Sequence, residues 1–258
     1  MASAVGLFRS KWFAIGMLVA LGAWVFHVAA LAMAPLSVVQ ACIAGGLVFL
    51  TVLAERWFGC SVGMRQWAGV GLTALGLVLL AVTLPTHGNH SSYSLVAMIA
   101  FESALLALCT FLVLSKKLGN HEHHGVMLGV AAGLLFTVTH VAVKALTGNL
   151  DKSVGAIVLS PYLPIAIAGA VAAFFASARS LQVGEAVAVI AVTSIASNAS
   201  AIPAGVVVFG DPVGNNPVTV TLRCLAFVLV VAAAALIPGP TRAAAPRMSP
   251  AGRFQAQA

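Results

Sequence analysis

Apolar runs long enough to cross a bilayer alternate with short polar connections along most of the chain. A helix rises about 1.5 Å per residue, so crossing the hydrocarbon core takes about 20 apolar residues. Windows of this length predict eight helices, at residues 12–33, 36–56, 65–85, 93–115, 124–147, 157–178, 183–206 and 217–237. The pattern therefore predicts an all-α integral membrane protein with eight transmembrane helices in one polytopic domain, residues 1–237.

The segment after the last apolar run differs in kind. Residues 238–258 read PGPTRAAAPRMSPAGRFQAQA, which is rich in proline and alanine with scattered arginines. Such a segment has too few large apolar side chains to form a packed core. We expect residues 238–258 to be a disordered cytoplasmic tail.

Composition supports the membrane assignment and narrows the partners. The chain is 61% hydrophobic and 7% charged, with a mean hydropathy of +1.06, whereas soluble domains carry about 25% charged residues. The net charge of +7 does not indicate a nucleic-acid partner, because the basic residues are scattered between apolar runs. The predicted partner is the lipid bilayer. The four cysteines have no ligand-like spacing and are interpreted as small core residues.

The basic residues also predict an orientation. Of 13 Lys and Arg, only Lys144, Lys152 and Arg223 lie on the side opposite the N-terminus when the predicted helices alternate, which leaves ten on the N-terminal side. Positive loops stay in the cytoplasm. The count predicts a multi-pass protein of the plasma membrane with both termini cytoplasmic.

Two parts of the chain repeat a pattern. Residues 31–40 (LAMAPLSVVQ) and 181–190 (LQVGEAVAVI) each join two apolar runs, and about 25 residues later come AERWFG (54–59) and GVVVFGD (205–211). Residues 12–85 thus match residues 157–237, and alternation of the helices gives the two copies opposite orientations. Inverted repeats of this kind build transporters with a central site. The predicted units are residues 12–85 and 93–237, with three and five helices.

The same segments resemble a known family. APLSVVQ (34–40), the ACIAGGLVFL helix (41–50) and AERWFG resemble the third-to-fourth helix region of the drug/metabolite transporter superfamily, in the branch with EamA-like and NIPA-type magnesium transporter-like proteins. SARSLQVGEAVAVIAVTSIASNASAIPAGVVVFGD (177–211) resembles the eighth-to-ninth helix region. Members usually have ten helices in two inverted halves of five. The resemblance implies that this chain lacks the first two, so that Met1 is a late start or a truncation.

Ionisable side chains within the predicted helices are candidates for function, since they are costly in lipid. Glu102 lies in the fourth predicted helix, and Thr137, His140 and Lys144 form a polar stripe on the fifth. We expect Glu102 to pair with His140 or Lys144 beside an outward-facing cavity. The alternatives are that Lys144 extends its ammonium to the interface and that His140 only hydrogen-bonds a neighbouring helix.

A second polar face lies on the seventh predicted helix. Ser194, Ser197 and Asn198 share this face, and Pro203 is expected to weaken the helix just beyond it. Gln40, one turn into the second helix, is a similar candidate. Serine and asparagine also join helices without binding substrate, and that alternative stays open.

Metal and catalytic chemistry are not predicted. HGNH (87–90) and HEHH (121–124) offer no closed ligand set and are interpreted as solvated connectors. The chain has neither a phosphate-binding loop nor a GxSxG or HExxH element, so we expect no cofactor and no enzyme activity.

The leading function is secondary transport of a small metabolite or cation, and the resemblance raises Mg²⁺ as a candidate. The substrate site would be formed by the residues Glu102, His140, Lys144, Thr137, Gln40, Ser194 and Asn198. The alternative is a non-transporting membrane subunit that stabilises a larger complex. Assembly as a homodimer or within a larger membrane complex is expected in either case.

Overall fold

A computed structural model describes residues 11–58, 63–83, 92–114, 124–149, 154–184, 186–214 and 216–236. Within these ranges the chain forms helices and no strand, so the all-α prediction is confirmed. The helices are α1 (Lys11–Met33), α2 (Leu36–Phe58), α3 (Met64–Val82), α4 (Leu95–Leu114), α5 (His124–Thr147), α6 (Val154–Val158), α7 (Tyr162–Val183), α8 (Ala186–Phe209) and α9 (Pro217–Leu236). The predicted tail and the HGNH connector lie outside the described residues.

Several helices are long and apolar enough to cross a membrane. Four such segments occur within the described ranges, at Leu95–Leu114, His124–Thr147, Tyr162–Val183 and Val192–Phe209. Shorter apolar helical segments occupy Leu21–Met33, Leu36–Gly46, Trp67–Val82 and Pro217–Ala233. Backbone groups in lipid must be paired within the segment, which helices achieve. The helices therefore have the character of a multi-pass membrane protein.

Helix α7 begins later than the apolar pattern predicts, at Tyr162 instead of residue 157. The cause is Pro161, because a residue that precedes proline is disfavoured in the helical conformation. Ser160 is that residue, and the short helix α6 ends just before it. Pro203, in contrast to Pro161, does not mark the end of a helix. It lies inside α8, which continues to Phe209, although Pro203 cannot donate to the carbonyl of Ala199.

Helix α5 is the centre of the bundle. In its membrane-length segment 67% of the residues are buried, against 17% for α4 and 22% for α7. It packs most extensively against α7 and α8, next against α4, and near its C-terminus against α1. Apolar residues of α4 and α5, among them Leu105, Cys109, Leu134 and Val138, form one core cluster between these two helices.

Glycines allow α5 to approach its neighbours closely. A Cβ at Gly125 would meet the backbone of Gly184, and one at Gly133 would meet the Thr193 carbonyl, the Ala196 side chain and the Ser197 amide. Small residues at such spacing let helix backbones come together in membranes. The α5–α8 contact therefore depends on the absence of side chains along one face of α5.

A second group of helices packs beside α8. Helix α3 packs against α9, and α2 packs against both α8 and α3. Their buried residues include Ala41, Leu80, Ile202, Ala226 and Val230. The α2 and α3 helices thus contact α8 and α9, the helices to which the sequence pattern relates them.

Adding one methyl group to the α5–α8 contact is expected to destabilise the protein. Gly133→Ala would place a Cβ against α8 backbone, and overpacking of this kind costs about 1–3 kcal/mol. The measurement is the apparent Tm of the full chain in detergent. Gly71→Ala is the matched control, because a Cβ there meets nothing within 4 Å and alanine is the better helix former. Equal Tm values for the two variants would contradict the close α5–α8 contact.

Candidate functional site

The break between α1 and α2 is held by two buried charges. At the end of α1, the Nζ of Lys144 donates to the carbonyls of Leu31 (2.6 Å) and Ala34 (2.9 Å). At the start of α2, Oδ2 of Asp211 accepts from the amide (2.8 Å) and the hydroxyl (2.7 Å) of Ser37. Carbonyl ends of helices carry partial negative charge and amide ends partial positive charge. Each end of the break therefore receives the complementary ion.

Asp211 connects this break to the second half of the chain. It is 3% exposed and interacts electrostatically with both Lys144 and Arg223. Arg223, from α9, also donates from Nη1 to the carbonyl of Pro212. A Cβ at Gly205 would meet the Asp211 carboxylate and the Ser37 amide, so glycine is required for α8 to pass this closely. Lys144, Asp211 and Arg223 form one charge cluster.

A cavity of about 1050 Å³ opens between α1, α2, α5 and α8. Four predicted site residues line it, namely Gln40, His140, Ser194 and Asn198. His27, Thr193 and Ser197 add further polar groups to a wall that is otherwise apolar, with Trp24, Phe26 and Phe136. Concave, mostly apolar sites with a few convergent polar groups are the usual form of small-ligand sites. This cavity is the candidate functional site.

Unpaired polar atoms mark the cavity wall. Nε2 of His27, Nε2 of Gln40 and Nδ1 of His140 are buried and have no hydrogen-bond partner among the described residues. The rings of His27 and His140 lie edge to face, with centroids 5.1 Å apart. Buried polar groups are nearly always paired in folded proteins. The hydrogen-bonding capacity of these three side chains is therefore available to a ligand.

The other predicted site residues lie elsewhere. Thr137 hydrogen-bonds the Ser197 carbonyl (3.1 Å) and the Ser200 hydroxyl (2.7 Å), which joins α5 to α8 behind the cavity wall. Lys144 is fully buried at the α1–α2 break. Both side chains are occupied by contacts between helices.

Glu102 does not pair as the sequence suggested. Within the described residues its Oε1 is buried without a hydrogen-bond partner, while Lys144 donates to carbonyls and His140 stacks on His27. Glu102 lies on α4, outside the cavity lining, and interacts electrostatically with Tyr162 of α7. The cause is the position of α4, which packs on the face of α5 with Ala131, Leu134 and Val138. Its part in substrate binding stays a prediction.

The described residues contain no cluster of three or more metal-ligating side chains. Over the ranges that the structure describes, no group of three or more His, Cys, Asp or Glu side chains could hold a metal ion. Among the residues that the structure describes, the cavity wall offers amide, hydroxyl and imidazole groups and the Cys42 thiol, and no carboxylate. The site is thus polar without being acidic.

Neither Asp211 nor His27 was among the site residues predicted from the sequence. Asp211 is one of only six acidic residues in the chain, and it directly follows an apolar helix. The scarcity of acidic residues could have marked Asp211 as important. Its partner could not be predicted, because Ser37 is 174 residues away in the sequence. His27 stands alone in an apolar run, a pattern that fits a packing role equally well.

Comparison with known proteins gives one relative. The chain is 22% identical over 248 residues to a protein named probable magnesium transporter NIPA9 from Arabidopsis thaliana, which covers 91% of this chain and 71% of that one. No family model matches the chain, and no solved structure matches it significantly. The chain is a multi-pass membrane protein that resembles a NIPA-type transporter. The similarity extends over nearly all of the helices described above.

Removing the Asp211 carboxylate is expected to destabilise the α1–α2 break. Asp211→Ala leaves the Ser37 donors, Lys144 and Arg223 without their anion, and breaking a buried charge pair costs about 3–5 kcal/mol. Ser37→Ala removes only the hydroxyl and its hydrogen bond to the carboxylate, and should cost about 1.5–3 kcal/mol. The apparent Tm in detergent measures both, with Glu55→Ala at the exposed end of α2 as the control acid. An Asp211→Ala protein as stable as Glu55→Ala would rule out the capping role.

Proposed function

We propose that this protein is a NIPA-like secondary transporter that moves a hydrated divalent cation, with Mg²⁺ as the leading substrate, through the cavity between α1, α2, α5 and α8. The observation that carries the proposal is the cavity itself, whose polar groups come from four different helices. The similarity to a probable magnesium transporter supports the choice of substrate. Gln40, His140, Ser194 and Asn198 form the proposed substrate site.

The chemistry of the wall suits an ion that keeps its water. Mg²⁺ prefers oxygen ligands and gives up its hydration shell reluctantly. Six waters at about 30 Å³ each occupy about 180 Å³, well within the 1050 Å³ of the cavity. The amides of Gln40 and Asn198 and the hydroxyl of Ser194 can hydrogen-bond such waters. A neutral wall binds the hydrated ion weakly, which allows release as well as entry.

The arrangement of the helices supports an alternating-access mechanism. We propose that α1–α3 and α7–α9 are the two copies of an inverted repeat within eight membrane-spanning helices of a drug/metabolite transporter-type fold. The related helices α2 and α8 pack against each other, and so do α3 and α9. Contact between related helices is what a two-fold axis in the membrane plane requires.

The proposed orientation places both termini in the cytoplasm of the plasma membrane, and the tail after residue 237 with them. The distribution of Lys and Arg supports this orientation. In the same proposal Lys144, Asp211 and Arg223 lie toward the outside, at the end of α5 away from His124.

Replacing cavity amides is expected to impair uptake. Gln40→Leu and Asn198→Leu each remove a group that can hydrogen-bond the water shell of the ion. A hydrogen bond to a charged species contributes about 1.5–3 kcal/mol, so each variant should reduce Mg²⁺ uptake by about tenfold or more. The measurement is uptake by proteoliposomes loaded with a Mg²⁺-sensitive dye.

The matched control for these variants is Thr110→Val on α4. Thr110 is exposed on the helix surface, and its hydroxyl bonds only its own helix, at the Leu106 carbonyl. The three variants should have similar Tm values while only the two cavity variants lose uptake. Equal uptake by all three would show that the cavity is not the route.

Glu102 provides a separate test of the route. Because Glu102 lies outside the cavity lining, Glu102→Gln should retain Mg²⁺ uptake. It should also be no less stable than the parent, since a partly buried carboxylate without a hydrogen bond is costly. The same proteoliposome assay measures the uptake, with Glu55→Gln for comparison. Loss of uptake in a stable Glu102→Gln protein would move the route to the α4–α7 side of α5.

The second candidate function is a non-transporting membrane subunit. The observation that favours it is α1, which makes few contacts beyond α5 and α2 and leaves large side chains outside the cavity exposed, among them Leu18, Val19 and Leu21. In a complex this surface would meet a partner instead of lipid. Absence of Mg²⁺ uptake by the purified parent protein, with stable association in a larger complex, would favour this function.

A further inference from the structure

We propose that His27 and His140 form a two-imidazole binding site for a borderline divalent transition cation, with Zn²⁺ as the reference ion. The site lies in the wall of the same cavity and gives it selectivity for a second class of cation. Its existence as a binding site does not depend on transport.

The separation of the two rings fits shared coordination of one ion. With Zn–N bonds of about 2.0–2.1 Å and a tetrahedral angle of about 109°, two liganding imidazoles have ring centroids about 5 Å apart. The His27 and His140 centroids are 5.1 Å apart, with the ring planes at 62°. The two rings therefore already stand at the spacing that a tetrahedral ion requires.

Each of the two rings also carries a nitrogen without a hydrogen-bond partner among the described residues. Nε2 of His27 and Nδ1 of His140 are buried and have no hydrogen-bond partner among the described residues. A neutral imidazole nitrogen with an unused lone pair is the form that binds a transition metal. The His27 and His140 rings contact each other edge to face, but within the described residues neither of these two nitrogens holds a neighbouring helix by a hydrogen bond.

Water in the cavity would complete the coordination shell of the ion. Two protein ligands leave two positions of a tetrahedral site for water, and both histidines line the 1050 Å³ cavity. Imidazole favours Zn²⁺, Ni²⁺ or Cu²⁺ over Mg²⁺, which prefers oxygen. A transition cation that enters the cavity would be retained where Mg²⁺ would pass.

Binding would also tie α1 to the rest of the bundle. His27 belongs to α1, whose C-terminal carbonyls are held by Lys144, and His140 belongs to the central helix α5. An ion shared by the two helices adds a connection between them. Because an ion that binds only the folded state raises its stability, Zn²⁺ should raise the apparent Tm.

The experiment uses the full chain in detergent, without an affinity tag and with His87, His90, His121 and His123 replaced by glutamine. These replacements remove the histidine-rich connectors as competing sites. Isothermal titration with Zn²⁺ should give one site per chain, and Zn²⁺ X-ray absorption should show two nitrogen ligands at about 2.0–2.1 Å. An excess of Mg²⁺ should not displace the Zn²⁺.

Substitution of the two histidines completes the test. His27→Gln and His140→Gln should each weaken Zn²⁺ binding by about tenfold or more, since even loss of an outer-shell partner costs 10–100-fold. Both variants should lose the Zn²⁺-dependent rise in Tm, and Thr110→Val should keep it. Undiminished binding in either histidine variant, or a zinc spectrum with oxygen ligands only, would overturn the proposal.

The X-ray absorption of the protein with His27 and His140 intact decides the matter if a variant fails to fold. The outcome is also separate from the proposed function. Mg²⁺ uptake without Zn²⁺ binding would overturn this site alone, and Zn²⁺ binding without Mg²⁺ uptake would overturn the transport proposal alone.

Discussion

The pairing of two buried ions with the broken backbone between α1 and α2 is the interaction on which the rest of the structure depends. A buried connection between two helices leaves amides and carbonyls that water cannot reach, and each unpaired group is costly. Lys144 meets the carbonyls and Asp211 meets the amide. Because these hydrogen bonds satisfy the backbone between α1 and α2, the two helices can diverge. The space between them is then part of the cavity, which both helices line.

The apolar pattern predicted the helices well, because length and hydropathy alone decide which segments can lie in a bilayer. It placed α5 at residues 124–147, where the structure has His124–Thr147. It could not place the start of α7, which local proline chemistry moved to Tyr162. Part of the cavity lining could also be predicted, since Gln40, His140, Ser194 and Asn198 are polar residues within apolar helices and all four line one cavity.

The partners of the charged residues could not be read in the same way. A polar stripe shows which face of a helix is buried against another helix, but it does not show which helix packs against that face. The stripe on α5 runs past α8 at Thr137, past α1 at His140 and past the α1–α2 break at Lys144. Helix α4 lies against another face of α5, so Glu102 could not reach the stripe. Contacts over more than a hundred residues, such as Ser37 with Asp211, leave no local trace in the sequence.

The caps of the α1–α2 break also set an order of events during synthesis. Lys144, which binds the carbonyls of Leu31 and Ala34, is synthesised more than a hundred residues after them. Asp211 is synthesised 174 residues after Ser37, the residue that it caps. A nascent chain that has delivered only its first three helices to the membrane therefore holds a break that nothing satisfies. It follows that the first helices reach their final packing only after the last part of α8 has been inserted. Fixing of the N-terminal hairpin is therefore a late step in the biogenesis of this protein and not an early one.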